Sequence, residues 1–326
     1  MRVLILTEGG KSTGFGHVAR CLALRDALTV KGMNASVIVN GDSLVRKQFR
    51  GQFTHVFDWL ADKPRTMKLV TKADVVAIDS YHAPLDLCRK ISKAVTLPIF
   101  IDDYARLAYP PGIVINGAVD AEKFRYPKGK NRRHLLGAKY ALLRKDFWQV
   151  PKKITRAKIR NVLVTFGGMD RSVFIHSLLA YLQPRFPDFN FHVVTARPCR
   201  YSVRHSKKIR YYAGIKAQKM KELIGCCDIA ISGGGQTLNE LAVCGLPTVG
   251  VCLAENQKMN IQGWQQQGFL KYAGDSSDSM LPNRIAMIIR ALNRSIRERM
   301  SAVGRKLIDG HGSERAILAV FAAQKK

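Results

Sequence analysis

Short apolar runs alternate with helix-patterned stretches almost from end to end, and that alternation restricts the fold of this chain more than any other feature. In the first half the runs are "RVLIL" (2–6), "ASVIV" (35–39), "THVF" (54–57), "DVVAID" (74–79), "LPIFID" (97–102) and "GIVIN" (112–116). Helical patterns fall between most of them. In the first, Val18, Leu22, Leu24 and Leu28 lie on or near one face and Gly32 closes the helix. Strands that alternate with helices predict a parallel, doubly wound sheet. The pattern stops near Gly117, where a basic stretch containing Gly and Pro begins, and restarts at "IRNVLVTFGGMD" (159–170). It then repeats through "FNFHVVT", "IRYYAG", "CDIAISGGG" and "GLPTVGVCL". The expectation is an α/β protein of two Rossmann-like domains, 1–150 and 151–326, a division that suits 326 residues. The closing "SERAILAVFAAQKK" reads as a helix capped by Ser313, available to pack back on the N-terminal domain.

No apolar run approaches the ~18 residues of a membrane span, and no small-residue cleavage site follows the first strand, so the chain is expected in the cytoplasm. Seven cysteines in a chain this long do not form a disulfide framework, and neither they nor the eight histidines supply paired zinc-ligand spacings. The net charge of +29 is less ordinary and predicts attraction to anions. Residues 123–145 and 189–221 contain no acid at all. They lack the aromatic interleaving of a single-strand platform, and no helix-turn-helix or zinc-finger pattern accompanies them, so no specific nucleic-acid binding is expected. A solvated basic face, or peripheral contact with an anionic membrane surface, remains.

Ligands of open α/β sheets sit beyond the carboxyl ends of the strands, and four distinctive loops fall there. The first, "EGGKSTGFGH", has neither the P-loop spacing nor GxGxxG, and carries Gly14, Gly16 and His17. Its pattern alone is served equally by a tight turn with His17 capping the helix. The second, "TFGGMD", presents Gly167 and Gly168 ahead of a helix, where backbone N–H groups can approach an anion. The third, "ISGGGQTLNELAVCGLPTVGV", has Gly234 and Gly235 opening a helix that bears Glu240, a carboxylate able to accept two ribose hydroxyls. The fourth, "ENQKMNIQGW", offers Asn256 and Gln257 to phosphate or sugar oxygens. "AIDSYH" and "FIDDYAR" end strands of the first half with Asp79, Tyr81, Asp102 and Asp103. These four side chains can face a cleft at the strand ends, although an Asp in such a place is commonly a helix cap. Strand alternation sends Asp102 and Asp103 opposite ways, and no metal site is expected.

In this order "GFGHVARCLAL", "IDDYAR", "GAKYALLRKDFW", "TFGGMD", "NELAVCGLPTVGV", "ENQ" and "IDGHGSERA" resemble the PseG-type UDP-sugar hydrolases of pseudaminic acid biosynthesis, within the MurG-like GT-B superfamily. The resemblance covers residues 1 to about 320. It implies a GT-B fold with an interdomain cleft and release of UDP from UDP-2,4-diacetamido-2,4,6-trideoxy-β-L-altropyranose with inversion, without metal or cofactor. His17 would then be the base, Gly234, Gly235 and Glu240 would hold the nucleotide, Asn256 would lie near the diphosphate, and Tyr81 would match a cleft tyrosine. Three departures stand out. "DSYHAP" replaces "DHYG", which displaces His82. "GGMD" replaces "GGTD". "SGGGQT" is closer to the transferase members, which leaves water and a second sugar both open as acceptor.

Residue chemistry agrees with that implication. A neutral imidazole, with an ordinary pKa of about 6.5, takes a proton from water at cellular pH where a lysine ammonium cannot. UDP leaves readily, and helix N-termini with basic side chains offset the charge developing on its β-phosphate. Two rivals follow from the same residues. One is a GT-B glycosyltransferase moving a UDP-sugar to a cell-envelope acceptor. The other is a non-catalytic anion- or nucleic-acid-binding protein on a GT-B scaffold.

Overall fold

The computed structural model describes all residues except 12, 169–170, 199–205 and 325–326, and divides the chain into two compact units. The first comprises Met1–Trp148 with Gly310–Lys326, and the second Gln149–Asp309.

In the first unit, strands β1 (Val3–Gly9), β2 (Ala35–Gly41), β3 (His55–Val56), β4 (Val75–Asp79), β5 (Leu97–Ile101), β6 (Gly112–Asn116) and β7 (Arg132–Leu136) form one parallel sheet in the order β3-β2-β1-β4-β5-β6-β7. Helices α1 (Gly16–Val30), α2 (Ser43–Gln48), α3 (Lys63–Val70) and α4 (Leu85–Ala94) connect the early strands. The period-2 rule explains why β1 is apolar throughout. Val3 and Ile5 pack with α1, whereas Leu4 and Leu6 pack on the opposite face with Trp59, Leu87 and Ile91. A Schellman motif ends α1: Met33 N–H donates to Leu28 O and Gly32 N–H to Thr29 O, with Gly32 at φ +76°.

The chain returns to this unit through α11 (Gly312–Gln324), whose Ala316, Ile317 and Val320 join the α1 side of the core. Ser313 does not cap it. The residue lies inside the helix, and its hydroxyl donates to the Leu143 carbonyl. The sheet also outlasts the apolar pattern, because β7 falls within the basic stretch. Its "RRHLL" has only Leu135 buried, as an edge strand allows, so charge on the open face hides the periodicity.

The second unit repeats the design. Strands β8 (Asn161–Thr165), β9 (Asn190–Thr195), β10 (Ile209–Ala213), β11 (Ile229–Gly233), β12 (Thr248–Cys252) and β13 (Leu270–Asp275) form a parallel sheet in the order β10-β9-β8-β11-β12-β13. Helices α5 (Ser172–Arg185), α6 (Ala217–Cys226), α7 (Thr237–Val243), α8 (Lys258–Gln266), α9 (Leu281–Ala291) and α10 (Arg294–Leu307) complete it. Val162, Val164, Ile231 and Val249 are buried with Ile175, Leu178 and Leu182 of α5 and Ile285 and Ile289 of α9. In both sheets the strand order reverses beside the first strand, between β1 and β4 and between β8 and β11. Crevices beyond the carboxyl ends of strands at such reversals are where open α/β sheets bind ligands.

Two Rossmann-like, parallel-sheet units are therefore present. No helix among the described residues is long and apolar enough to cross a membrane. The six described cysteines are free thiols, five of them buried.

Candidate functional site

The first unit gathers a set of ionisable side chains at the β1/β4 reversal. The chain leaves β1 through a closed turn in which Gly10 and Gly14 exchange two backbone hydrogen bonds of 2.9 and 2.8 Å. Gly14 takes φ +72°, a conformation that an L side chain rarely adopts. The turn delivers Gly16 as the first residue of α1, and His17, Arg20 and Cys21 then share one face at i, i+3 and i+4. All three reach Asp79, the last residue of β4. His17 Nδ1 lies 2.6 Å from Asp79 Oδ1, Arg20 Nε donates to Oδ2 at 2.6 Å and Nη2 to Oδ1 at 2.7 Å, and Cys21 Sγ approaches Oδ2 at 3.5 Å. His17 is not a helix cap: the capping position is Phe15, without a side-chain cap.

Asp79 is wholly buried, and His17 retains only 4% exposure. Burial by itself opposes a charge on Asp79, but Arg20 and then His17 more than offset it and hold the carboxyl well below the usual carboxylate range. An ionised carboxylate only accepts, so the hydrogen between the two belongs to His17 Nδ1. Arg20 Nη2, 3.0 Å from the same nitrogen, then meets no lone pair there and donates to Asp79 instead. This tautomer leaves the lone pair on Nε2, which meets no hydrogen-bonding partner among the described residues.

Arg20 also binds Asp103 through Nη1, and the Tyr81 hydroxyl donates to the other oxygen of Asp103. Burial and the Asp103 charge both push the Tyr81 phenol upward, so it stays protonated and acts as a donor. The Tyr81 ring stands edge-on to His17, with centroids 4.2 Å apart. Asp102 points elsewhere and accepts from the Tyr126 hydroxyl at 2.7 Å. Beside this group lies a second buried carboxylate, Glu8 of β1. It accepts from the Ser80 hydroxyl at 2.6 Å and the Tyr81 N–H at 2.8 Å, and its Oε1 lies 3.0 Å from His82 Nδ1.

The second unit gathers its loops at the β8/β11 reversal. Gly167, exposed and at φ +78°, and Gly168 follow β8; Met169 and Asp170 of the "GGMD" motif lie outside the described residues. Arg171 precedes α5, and among the described residues it has one long contact of 3.4 Å from Nη2 to Leu253 O and a buried Nε that lacks a partner. After β11, Gly234 is packed so closely that a Cβ would meet Ile261 Cγ1 at 2.6 Å, whereas a Cβ on Gly235 meets nothing within 4 Å. Glu240 is buried in the first turn of α7.

Gln257 serves the loop itself. Its side-chain oxygen accepts from Gly234 N–H at 3.0 Å and Leu253 N–H at 3.4 Å, while Asn260 Nδ2 donates to Gly234 O at 2.8 Å. The Gly234 N–H is thereby already bonded, and Gly235 is the glycine that opens outward. Asn256 is exposed in the turn Glu255–Gln257. Among the described residues no group of three His, Cys, Asp or Glu side chains is placed to hold a metal ion.

His17 and Tyr81 were thus legible from motif, and the structure brings them together. Arg20 and Glu8 carry no motif signal, while Asp79 and Asp103 stand out as strand-end acids, a place that a helix cap commonly explains. The available signal was the i+3 spacing of Arg20 from His17 together with an acid closing each neighbouring strand.

No family model matches the chain. It is 30% identical over 275 residues to protein MJ1062 of Methanocaldococcus jannaschii, covering 76% of this chain and 55% of that protein. With the spore coat polysaccharide biosynthesis protein SpsG of Bacillus subtilis it shares 27% identity over 333 residues, 96% of this chain and 95% of SpsG. A Helicobacter pylori protein is 23% identical over 275 residues, 83% of this chain and 48% of its own; it is named pseudaminic acid cytidylyltransferase and UDP-2,4-diacetamido-2,4,6-trideoxy-β-L-altropyranose hydrolase. The chain therefore spans about half the length of two of these relatives and nearly all of SpsG.

Among solved structures, MurG of Acinetobacter baumannii matches over 100% of both chains with a TM-score of 0.68 at 14% identity. The calicheamicin glycosyltransferase CalG4 matches over 100% of this chain and 98% of its own at 0.63 and 14%. The UDP-GlcNAc 2-epimerase of Neisseria meningitidis, bound to UDP-GlcNAc, matches over 99% and 100% at 0.63 and 12%. At these identities the likeness establishes the fold, which is that of GT-B glycosyltransferases.

Proposed function

We propose that this chain is a nucleotide-sugar enzyme that hydrolyses a UDP-linked diacetamido-trideoxy sugar of the altrose series to UDP and free sugar, with inversion at C1. The observation that carries the reading is the His17–Asp79 pair. A buried, ionised carboxylate fixes the Nδ1–H tautomer and leaves Nε2 with a lone pair, the state a general base requires. Arg20 and Asp103 hold Asp79 and Tyr81 in register around it.

In this mechanism His17 Nε2 takes a proton from water as the oxygen attacks C1 from the face opposite the diphosphate. The C1–O(phosphate) bond breaks and UDP departs. The loops of the second unit bind the nucleotide: Glu240 accepts from the ribose hydroxyls, and Gly167, Gly168 and Gly235 bring backbone N–H groups to the diphosphate beside Asn256. Arg171 joins them, since it directly precedes α5 and among the described residues its guanidinium has one long contact and a buried Nε without a partner. Similarity to the H. pylori protein supports the substrate class, and the GT-B fold supports a UDP-sugar ligand.

His17→Ala is the direct test. Turnover should fall by at least about 10³-fold while calorimetric UDP affinity stays within about twofold. Equal turnover in variant and wild type overturns the assignment of the base.

A second reading has its own support. The "SGGGQT" turn and the near full-length similarity to SpsG favour a GT-B transferase that passes a UDP-sugar to a polysaccharide acceptor, with the +29 charge drawing the protein to an anionic surface. UDP release that requires an added acceptor, together with sedimentation on acidic liposomes, would establish it.

A further inference from the structure

His82 is left over by the mechanism above, yet it is built like its neighbour. Glu8 is 3% exposed, lies on the interior strand β1 and accepts three hydrogen bonds, one of them from His82 Nδ1 at 3.0 Å. A carboxylate at Nδ1 accepts that hydrogen and turns Nε2 outward, and in the imidazolium form Nε2 carries the second hydrogen and is a donor. The loop that carries the imidazole is fixed: Ser80 Oγ accepts from His82 N–H at 3.0 Å and Ala83 N–H at 2.9 Å while donating to Glu8. Unlike His17, the His82 side chain is 62% exposed and can exchange protons with solvent.

Tyr81 lies between the two pairs. Its ring contacts His17, and its backbone N–H shares Glu8 Oε1 with His82. Two histidine–carboxylate pairs thus flank one tyrosine at the β1/β4 reversal. Among the described residues no disulfide, metal cluster or helix cap accounts for the second, and an exposed imidazole does not need a buried carboxylate for packing. We infer that His82, oriented by Glu8, is the proton donor to the departing phosphate, complementary to the base His17. The inference rests on the hydrolase reading and deepens it.

The step balances. As water loses its proton to His17 Nε2 and its oxygen bonds to C1, the C1–O(phosphate) bond breaks with its electron pair on the phosphate oxygen. His82 Nε2–H donates its proton to that oxygen. Solvent then reprotonates His82 and removes the proton from His17. A terminal phosphate ionising near pH 6 and an imidazole are matched in proton affinity, the condition under which general acid catalysis is effective. Charged and titratable groups around the His82 loop include Glu8 from β1, Asp79 and Tyr81 on its own segment, His17, Asp103 and Tyr104 against Tyr81, and Arg106, whose Nη2 donates to Ala83 O at 2.8 Å. Glu8 is the group in direct contact with the imidazole.

The test is the pH profile of kcat/KM for a UDP-sugar substrate, compared between wild type, His82→Gln and Glu8→Gln. Wild type is expected to give a bell. His82→Gln is expected to lose the high-pH limb and 10- to 100-fold in kcat, at an unchanged low-pH limb. Glu8→Gln is expected to move the high-pH limb to lower pH, because removing the carboxylate disfavours the imidazolium. A His82→Gln profile with both limbs intact and kcat within twofold of wild type overturns the inference; being exposed, this variant should fold normally. Absence of UDP release by wild type overturns the hydrolase reading instead. Imidazole proton NMR then decides the present point alone: added UDP should raise the His82 titration midpoint, and a midpoint indifferent to UDP contradicts contact with the phosphate.

Discussion

Replacing Asp79 by Asn keeps the shape of the side chain and removes only its charge. In the native site Asp79 Oδ1 accepts from His17 Nδ1 and Arg20 Nη2, and Oδ2 accepts from Arg20 Nε and Cys21. A carboxamide offers one accepting oxygen and places an NH2 donor where the other stood. If the oxygen stays with Arg20, the NH2 faces His17 Nδ1 and forces the hydrogen onto Nε2, the wrong tautomer for a base. Where an Asp–His pair works in this way, the swap lowers kcat by about 10⁴-fold, equivalent to about 5.5 kcal/mol of transition-state stabilisation.

The effect on stability is smaller. Arg20 retains Asp103, so the guanidinium is not orphaned, and the loss of roughly two charge-assisted buried hydrogen bonds amounts to about 3 kcal/mol against a total of roughly 5–15 kcal/mol. The variant should therefore stay folded and bind UDP within about twofold of wild type while turning over at least about 10³-fold more slowly. Steady-state UDP release, calorimetry and thermal melting on one preparation separate the three effects. A variant that melts several degrees lower yet keeps kcat within tenfold would show that Asp79 is only a core ion pair, and the tautomer argument would fail.

Asp79 also makes an acid-stability prediction. Its folded pKa is depressed, so its contribution is complete above the unfolded value near pH 4 and is lost as pH falls further. The wild-type melting temperature should drop between about pH 5 and 2, and the drop should be shallower in Asp79→Asn. Glu240→Ala should weaken UDP binding about 10- to 100-fold in calorimetry through loss of a pair of ribose hydrogen bonds; unchanged affinity removes Glu240 from the nucleotide site. Gly234→Ala would place a Cβ 2.6 Å from Ile261, and should lower stability by roughly 1–3 kcal/mol in denaturant melts. Gly235→Ala, with open space around it, should leave stability nearly unchanged.

Much of the fold was written in the strand periodicity, because parallel strands buried on both faces read as continuous apolar runs. The exceptions were edges. β7 carries Arg132, Arg133 and His134, and β13 ends in "AGD", so the apolar signal thins where one side has no neighbouring strand. His17 was legible through the motif resemblance, because a glycine turn at a strand end would by itself serve a capping histidine equally well. Asp79 was ambiguous because its partner is chosen by the β1/β4 register and the pitch of α1, neither of which local sequence encodes. Glu8 was hidden for a related reason: within "VLILTEG" it resembles a loop acid, although the fold buries it near the end of the interior strand β1. Gln257 reads as a ligand for phosphate or sugar oxygens, and in the turn Glu255–Gln257 its own side-chain oxygen accepts from the Gly234 and Leu253 N–H groups, a contact that local sequence does not reveal.

The central claim is cleavage at C1 by water that His17 activates, and real-time proton NMR of the wild-type protein with UDP-2,4-diacetamido-2,4,6-trideoxy-β-L-altropyranose follows that event itself. The account predicts UDP and free sugar in equal amounts without any acceptor, with the first anomer to appear inverted relative to the substrate. A substrate that persists unchanged until an acceptor is added, or a first product that retains the anomeric configuration, would contradict it.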